Sequence, residues 1–154
     1  MNILLYQPEI PQNTGNIART CALTETNLHL IKPLGFSLDE KHLKRAGLDY
    51  WELVNVNVYD SFDQFLQKNP EANLYILTTK ATKFYHQIEY DKNAFLMFGK
   101  ETAGIPAEIH EAYHDNRFRI PMRNHEKARS LNLSNAVNIV LYEALRQHDF
   151  AGLI

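Results

Sequence analysis

The chain contains one cysteine, Cys21, so it can form no internal disulfide, and a lone thiol fits a reducing compartment. No run of about 18 apolar residues occurs, which excludes a helical membrane span. The opening MNILLYQPEIPQN lacks a basic segment, a long apolar stretch and a cleavage site. It is therefore expected to be a first strand rather than a secretory signal, and the protein to be cytoplasmic. Excess positive charge is missing too. The net charge of −2 argues against a protein that coats nucleic acid indiscriminately, although a neutral molecule can still carry a local basic patch. No repeat, low-complexity tract or linker divides the 154 residues, so one domain over 1–154 is expected. Both common nucleotide signatures, G-x-x-x-x-G-K-[ST] and G-x-G-x-x-G, are absent.

What the chain does have is alternation. At 45% hydrophobic residues it can bury a sizeable core. Apolar runs at 3–6, 28–31, 74–78 and 95–98 read as strands, the last two continuous enough to be central parallel strands. A half-buried strand is expected over 52–59 and a short one over 118–121. Helices are expected over 14–23, with Ile17, Cys21 and Ala18 inward, and over 37–45, opened by Ser37 and Glu40 as a capping box. Further helices are expected over 61–67, opened by Ser61 and Gln64, and from Pro106 to about residue 113. The strongest covers 134–147, with Val137, Val140, Leu141, Ala144 and Leu145 as its apolar stripe. Such alternation points to an α/β protein with a mostly parallel sheet and helices on both faces. Ligands of such sheets sit beyond the carboxyl ends of the strands.

Four segments follow those ends. In EIPQNTGNIART, Asn13 or Thr14 can cap the first helix. Asn13, Asn16 and Arg19 stand three residues apart, either as a capped, solvated helix face or as a face turned to one polar ligand. LTTK supplies hydroxyls and a lysine. In FGKETAGIP, Gly99 lets a ligand approach the backbone, Glu101 offers an acceptor and Gly104 allows a positive φ. Without a phosphate clamp, the loop suits an adenosine lacking phosphates. In IPMRNHEKARSLNLSNAV, Arg123, Lys127 and Arg129 form a basic loop, favoured as an RNA contact. Ser130, Asn132, Ser134 and Asn135 then crowd a helix start that needs only one cap. Lys41, Lys44 and Arg45 gather on the 37–45 helix, either as an RNA contact or as a solvated face.

Three of these blocks, NTGNIAR, LMFGKETAGIP and RIPM…RSLNLSNAVNIVLYEALRQ, resemble in order the three motifs of the SPOUT RNA methyltransferases. With PEIPQNTGN and RAGLDYWE they are similar to the small stand-alone members that 2′-O-methylate wobble nucleotide 34, a cytidine or modified uridine, of tRNA-Leu isoacceptors. The resemblance implies a C-terminal trefoil knot, which general rules of chain threading would not suggest. It also implies a homodimer, a tRNA substrate and S-adenosylmethionine held in the knot. By motif position the cofactor residues are Leu77, Thr78, Gly99, Glu101, Gly104, Ile120, Ser130, Leu131 and Asn132. Leu131 stands where this subgroup often has methionine. Substrate contacts would come from Asn13, Asn16, Arg123, Arg129 and Asn135. Arg19 matches the family's catalytic arginine. It would either take the ribose 2′-OH proton or stabilise the developing alkoxide and clamp the adjacent phosphate; a guanidine pKa above ~12 makes a free base rare.

No metal is required. Residues 110–114 read HEAYH, the literal H-E-x-x-H of zinc proteases. The helix is short, lacks a third ligand, and should bury Ile105, Ile109, Ala112 and Tyr113, leaving His110 and His114 as a solvated pair. The rival functions are 2′-O-methylation of another RNA such as rRNA, and a knotted module that binds RNA without catalysis.

Overall fold

A computed structural model describes residues 1–38, 50–125 and 129–154. The helix expected over 37–45, with Glu40, Lys41, Lys44 and Arg45, and most of RAGLDYWE lie outside the described residues, as does Lys127.

Seven strands form one sheet in the order β3-β2-β1-β6-β4-β7-β5. They are β1 (Asn2–Tyr6), β2 (Asn27–Ile31), β3 (Val56–Tyr59), β4 (Leu74–Leu77), β5 (Lys83–Phe84), β6 (Phe95–Phe98) and β7 (Arg117–Arg119). Every paired neighbour is parallel. Among the described residues four α-helices accompany them: α1 (Pro11–Leu23), α2 (Phe62–Lys68), α3 (Ala107–Ala112) and α4 (Leu133–Gln147).

Side chains alternate across the strands and feed two cores. Ile3, Leu5, Leu28, Leu30, Leu96 and Phe98 pack on one face with Ile17, Ala18 and Cys21 of α1 and with Val137, Val140, Leu141 and Ala144 of α4. Leu4, Ile76, Phe95 and Met97 pack on the other with Phe65 of α2 and Ile109 of α3. Both faces are thus covered, which is why the central strands read as unbroken apolar runs.

Several local expectations change. Helix α1 starts at Pro11, and Ile10 stands at its N-cap position without a side-chain cap. Proline's fixed φ suits the first helical position, so Asn13 and Thr14 fall inside the first turn instead of capping it. The strand expected from residue 52 begins at Val56, because Trp51–Leu53 forms a 3₁₀ turn that leaves Leu53 exposed. β5 has two exposed residues and no periodicity to betray it. The Ser61 cap forms as expected: its Oγ accepts the Gln64 N–H at 3.1 Å, and Gln64 Oε1 accepts the Asp60 N–H at 2.7 Å.

Candidate active site

A cleft of about 640 Å³ opens beyond the carboxyl ends of β4, β6 and β7. Its walls come from the turn after β4 (Leu77, Thr78, Thr79, Lys80), the loop after β6 (99–105), and Ile120 and Met122 after β7. Residues 129–133, leading into α4, close it, and Ile10 and Asn13 at the start of α1 complete one side.

The loop after β6 owes its shape to two glycines. Lys100 and Gly104 face each other as an isolated antiparallel bridge, with the Gly104 N–H donating to the Lys100 carbonyl at 3.1 Å. This folds the chain back over Gly99. A Cβ on Gly99 would lie 2.5 Å from the Gly104 carbonyl carbon and 2.6 Å from the Ile105 nitrogen, so no side chain fits there. Gly104 itself has a φ of 70°, which a residue with a side chain seldom adopts.

Glu101 departs from expectation. Its carboxylate is not an acceptor waiting for a ligand, because this chain's own donors use it. The backbone N–H groups of Glu9 and Ile10 donate to it at 2.9 and 3.2 Å, and Asn13 Nδ2 donates at 3.0 Å. An anion is thereby set at the positive end of α1, where the helix has no cap of its own. Thr102 answers in the opposite direction, its N–H and hydroxyl donating to the Glu9 carboxylate. Asn132 Nδ2 donates to Asn13 Oδ1 at 2.9 Å, and Asn132 Oδ1 accepts from the N–H and hydroxyl of Ser134. One continuous network, Glu101–Asn13–Asn132–Ser134, therefore ties together three segments separated by about ninety and thirty residues of chain.

Leu77, Thr78, Gly99, Glu101, Gly104, Ile120, Ser130, Leu131 and Asn132 all line the cleft, as do Asn13 and Arg129. Asn16, Arg19, Arg123 and Asn135 do not. Asn16 and Arg19 are exposed on α1, and the Arg19 guanidinium lies 4.8 Å above the Tyr50 ring. Asn135 is exposed on α4. Arg123 lines an adjoining groove. Of the two readings of this helix face, the one in which Asn13, Asn16 and Arg19 point at one ligand does not hold within a single chain: in a helix, positions 13 and 19 differ by about 120° around the axis, and Asn13 alone turns inward.

The histidine pair is also corrected. His110 is buried and lines the cleft, its Nδ1 has no partner, and Ala112 is exposed. His114 is exposed beside Asp115. Burial, then the positive charges of Lys80 and Arg117, holds the His110 imidazole below the usual histidine range, so it is neutral at pH 7. Residues that sequence reasoning missed in the cleft are Ile10, Phe98, Ile105, His110, Met122, Leu133 and Ala136. Most are apolar residues inside the motif segments, between the polar positions singled out, and their signal was only their position near a strand end. Among the described residues no cluster of three or more His, Cys, Asp or Glu side chains could hold a metal.

The cleft's apolar walls, Leu77, Phe98, Ile105 and Ile120, suit the face of a purine. Its rim hydroxyls and backbone groups suit a ribose and a small zwitterion, and its volume is that of a small-molecule site. Comparison with known proteins places the chain in a family. A tRNA (cytidine(34)-2′-O)-methyltransferase of Saccharophagus degradans is 51% identical over 98% of this chain and 97% of its own length. A structure solved to explain 2-OH methylation of C/U34 on tRNA superposes with a TM-score of 0.88 at 42% identity, covering 96% of this chain and 95% of that one. The SpoU methyltransferase AviRb from Streptomyces viridochromogenes, solved with AdoMet, shares the fold at a TM-score of 0.79 and 22% identity, over 97% of this chain and 58% of that one. The family model described as the SpoU rRNA Methylase family matches residues 1–142. With its cleft at the strand ends and a family match along nearly its whole length, the chain belongs to the SpoU methylase family.

Proposed function

We propose that residues 1–154 form a single domain that transfers a methyl group from S-adenosylmethionine to the ribose 2′-OH of wobble nucleotide 34 in tRNA-Leu isoacceptors, in the cytoplasm. The observation that carries this reading is the convergence of the three motif segments on one cleft through the Glu101–Asn13–Asn132 network. The relatives named for nucleotide 34 support the position methylated.

When bound, S-adenosylmethionine supplies a methyl carbon made electrophilic by its sulfonium sulfur. Leu77, Ile120 and Leu131 would hold its adenine by apolar contact, and the 99–104 backbone with the Thr78 and Ser130 hydroxyls would bond its polar edges. Holding donor and acceptor in line is itself worth about 7–11 kcal/mol of barrier. The 129–132 segment and the 77–80 turn line the same cleft, which supports the trefoil knot that the family resemblance implies, in which the chain after β7 passes through a loop.

Arg19 lies outside the cleft of its own chain. The protein works as a homodimer in which α1 of one protomer brings Arg19 to the cleft of the other. Asn16, close to Arg19 on α1, reaches the RNA with it; Arg123 and Arg129 hold phosphates, and Asn135, exposed on α4, is a further RNA contact. Arg19 stabilises the alkoxide that forms as the 2′-OH loses its proton. Arg19→Ala is expected to lower single-turnover methylation of a tRNA-Leu transcript by about 10²-fold or more, the scale of losing an oxyanion donor. Calorimetric affinity for S-adenosylhomocysteine should be unchanged. Loss of that affinity with retained turnover would refute the assignment, and mapping of 2′-O-methyl nucleotides by mass spectrometry would locate the position methylated.

A further inference from the structure

Beside the cleft lies a second groove of about 670 Å³, which shares Thr79, Met122 and Arg129 with it. Phe84, Arg119, Arg123 and Arg129 line it, and among the described residues none of its lining residues is acidic. Phe84 and Arg119 are register partners on the parallel strands β5 and β7, so their side chains leave the sheet side by side on the same face. The two residues differ in what they lack. Phe84 is 37% exposed, an unusual place for a phenyl ring on an edge strand, and its ring stacks on His86 at 5.7 Å with the planes 20° apart. Arg119 has a buried Nε with no hydrogen-bond partner. A guanidinium N–H held out of water and unpaired is costly, and charge-assisted bonds from an anion to the other nitrogens of the same guanidinium offset that cost. An aromatic plane beside a fork of cationic donors is the chemistry that grips a single-stranded nucleotide, with its base on the ring and its phosphate on the arginines.

We propose that this groove binds a nucleotide flanking the one that is methylated, its base stacked on Phe84 and its phosphate held by Arg119 and Arg123. The inference rests on reading the neighbouring cleft as the methyl-donor site. It adds a subsite that orients the RNA strand as it enters, and it explains how a chain of net charge −2 concentrates cationic groups where a polyanion must lie.

The test uses full-length protein, S-adenosylhomocysteine and an anticodon stem-loop RNA carrying 2-aminopurine on either side of the methylated position. Stacking on Phe84 should change the 2-aminopurine emission in at least one of the two RNAs. Phe84→Ala should abolish that change and raise the KM for RNA about tenfold, the scale of one lost base stack. Phe84→Tyr should restore both, whereas Phe84→Leu, apolar but without a ring plane of that size, should not. Arg119→Lys, which keeps the charge and loses the fork, should raise the KM for RNA without restoring any emission change to Phe84→Ala. S-adenosylhomocysteine affinity should stay at the wild-type value throughout and reports that each variant is folded. Normal KM and emission in Phe84→Ala, with S-adenosylhomocysteine still bound, would overturn the subsite alone. Wild-type protein that fails to bind S-adenosylhomocysteine would overturn the reading of the cleft and the subsite with it.

Discussion

Glu101 and His29 are buried or engaged polar groups whose partners are complete, and they act through what they hold. Glu101 joins a loop to a helix start, taking two backbone N–H donors and one side-chain amide donor. His29, in the middle of β2, is buried between the rings of Tyr59, Phe65 and Phe95. With its proton on Nε2 it donates to Asn2 Oδ1 and accepts the Tyr59 hydroxyl on Nδ1. Burial pushes its pKa down to about 4 from 6.5. The unfolded chain therefore binds a proton below about pH 6.5 that the folded protein refuses until about pH 4. The stability His29 contributes is full above pH 6.5 and is lost as the pH falls through this window, by up to about 3 kcal/mol. Urea unfolding of wild type and His29→Gln between pH 7 and pH 4 measures it: the wild type should lose more stability over that range than the variant.

At the scale of the element, the loop after β6 turns on the difference between two glycines. Gly99 is required by space, because its missing Cβ is where the loop's own backbone returns, while Gly104 faces open space and is required by its φ of 70°. The two substitutions should therefore behave differently. Gly99→Ala must displace backbone at 104–105 and should weaken S-adenosylhomocysteine binding by about tenfold or more in calorimetry. Gly104→Ala pays mainly the left-handed conformation, about 1 kcal/mol of stability, and should bind within a few-fold of wild type. Equal losses of affinity in both would mean that the loop's shape does not control the site. α1 shows the same interdependence. It is 13 residues long and has no side-chain cap, so its entrance depends on a carboxylate delivered from 90 residues further along the chain.

At the scale of the molecule, Arg19, to which the proposed function gives the alkoxide, lies outside the cleft of its own chain, and one surface is more apolar than a monomer needs. Ile139, Tyr142 and Phe150 are exposed at the outer side and end of α4, which packs against α1, and Leu23 is exposed at the end of α1. Tyr142 and Phe150 also meet, their ring centroids 6.4 Å apart. A patch of this kind beside the helix that carries Arg19 fits a dimer that covers it. Sedimentation should give a dimer, and Ile139→Asp with Tyr142→Asp should give a monomer without methyltransferase activity. Mixed dimers of Arg19→Ala and Gly99→Ala protomers should regain turnover, since one intact cleft then meets one intact Arg19. Failure of that complementation in an exchanging dimer would place Arg19's role elsewhere.

The alternation of apolar runs and amphipathic segments determined an α/β protein with both sheet faces covered, because burial on two faces leaves no polar position in strands such as Leu74–Leu77 and Phe95–Phe98. Motif order and spacing likewise identified the cleft-lining segments, since strand-end loops must face the same side of a parallel sheet. Three things needed the tertiary structure. Glu101 reads as an open acceptor until the backbone of Glu9 and Ile10 arrives beside it. His110 reads as solvated until the cleft and the sheet bury it. Arg19 reads either as solvated or as a partner of Asn13 until Asn13 is found bonded to Glu101 and Asn132 and the Arg19 guanidinium over the Tyr50 ring. Each depends on which distant groups share a few ångströms, and hydrophobic periodicity carries no information about that: it says which side of an element is buried, and nothing about what lies against it.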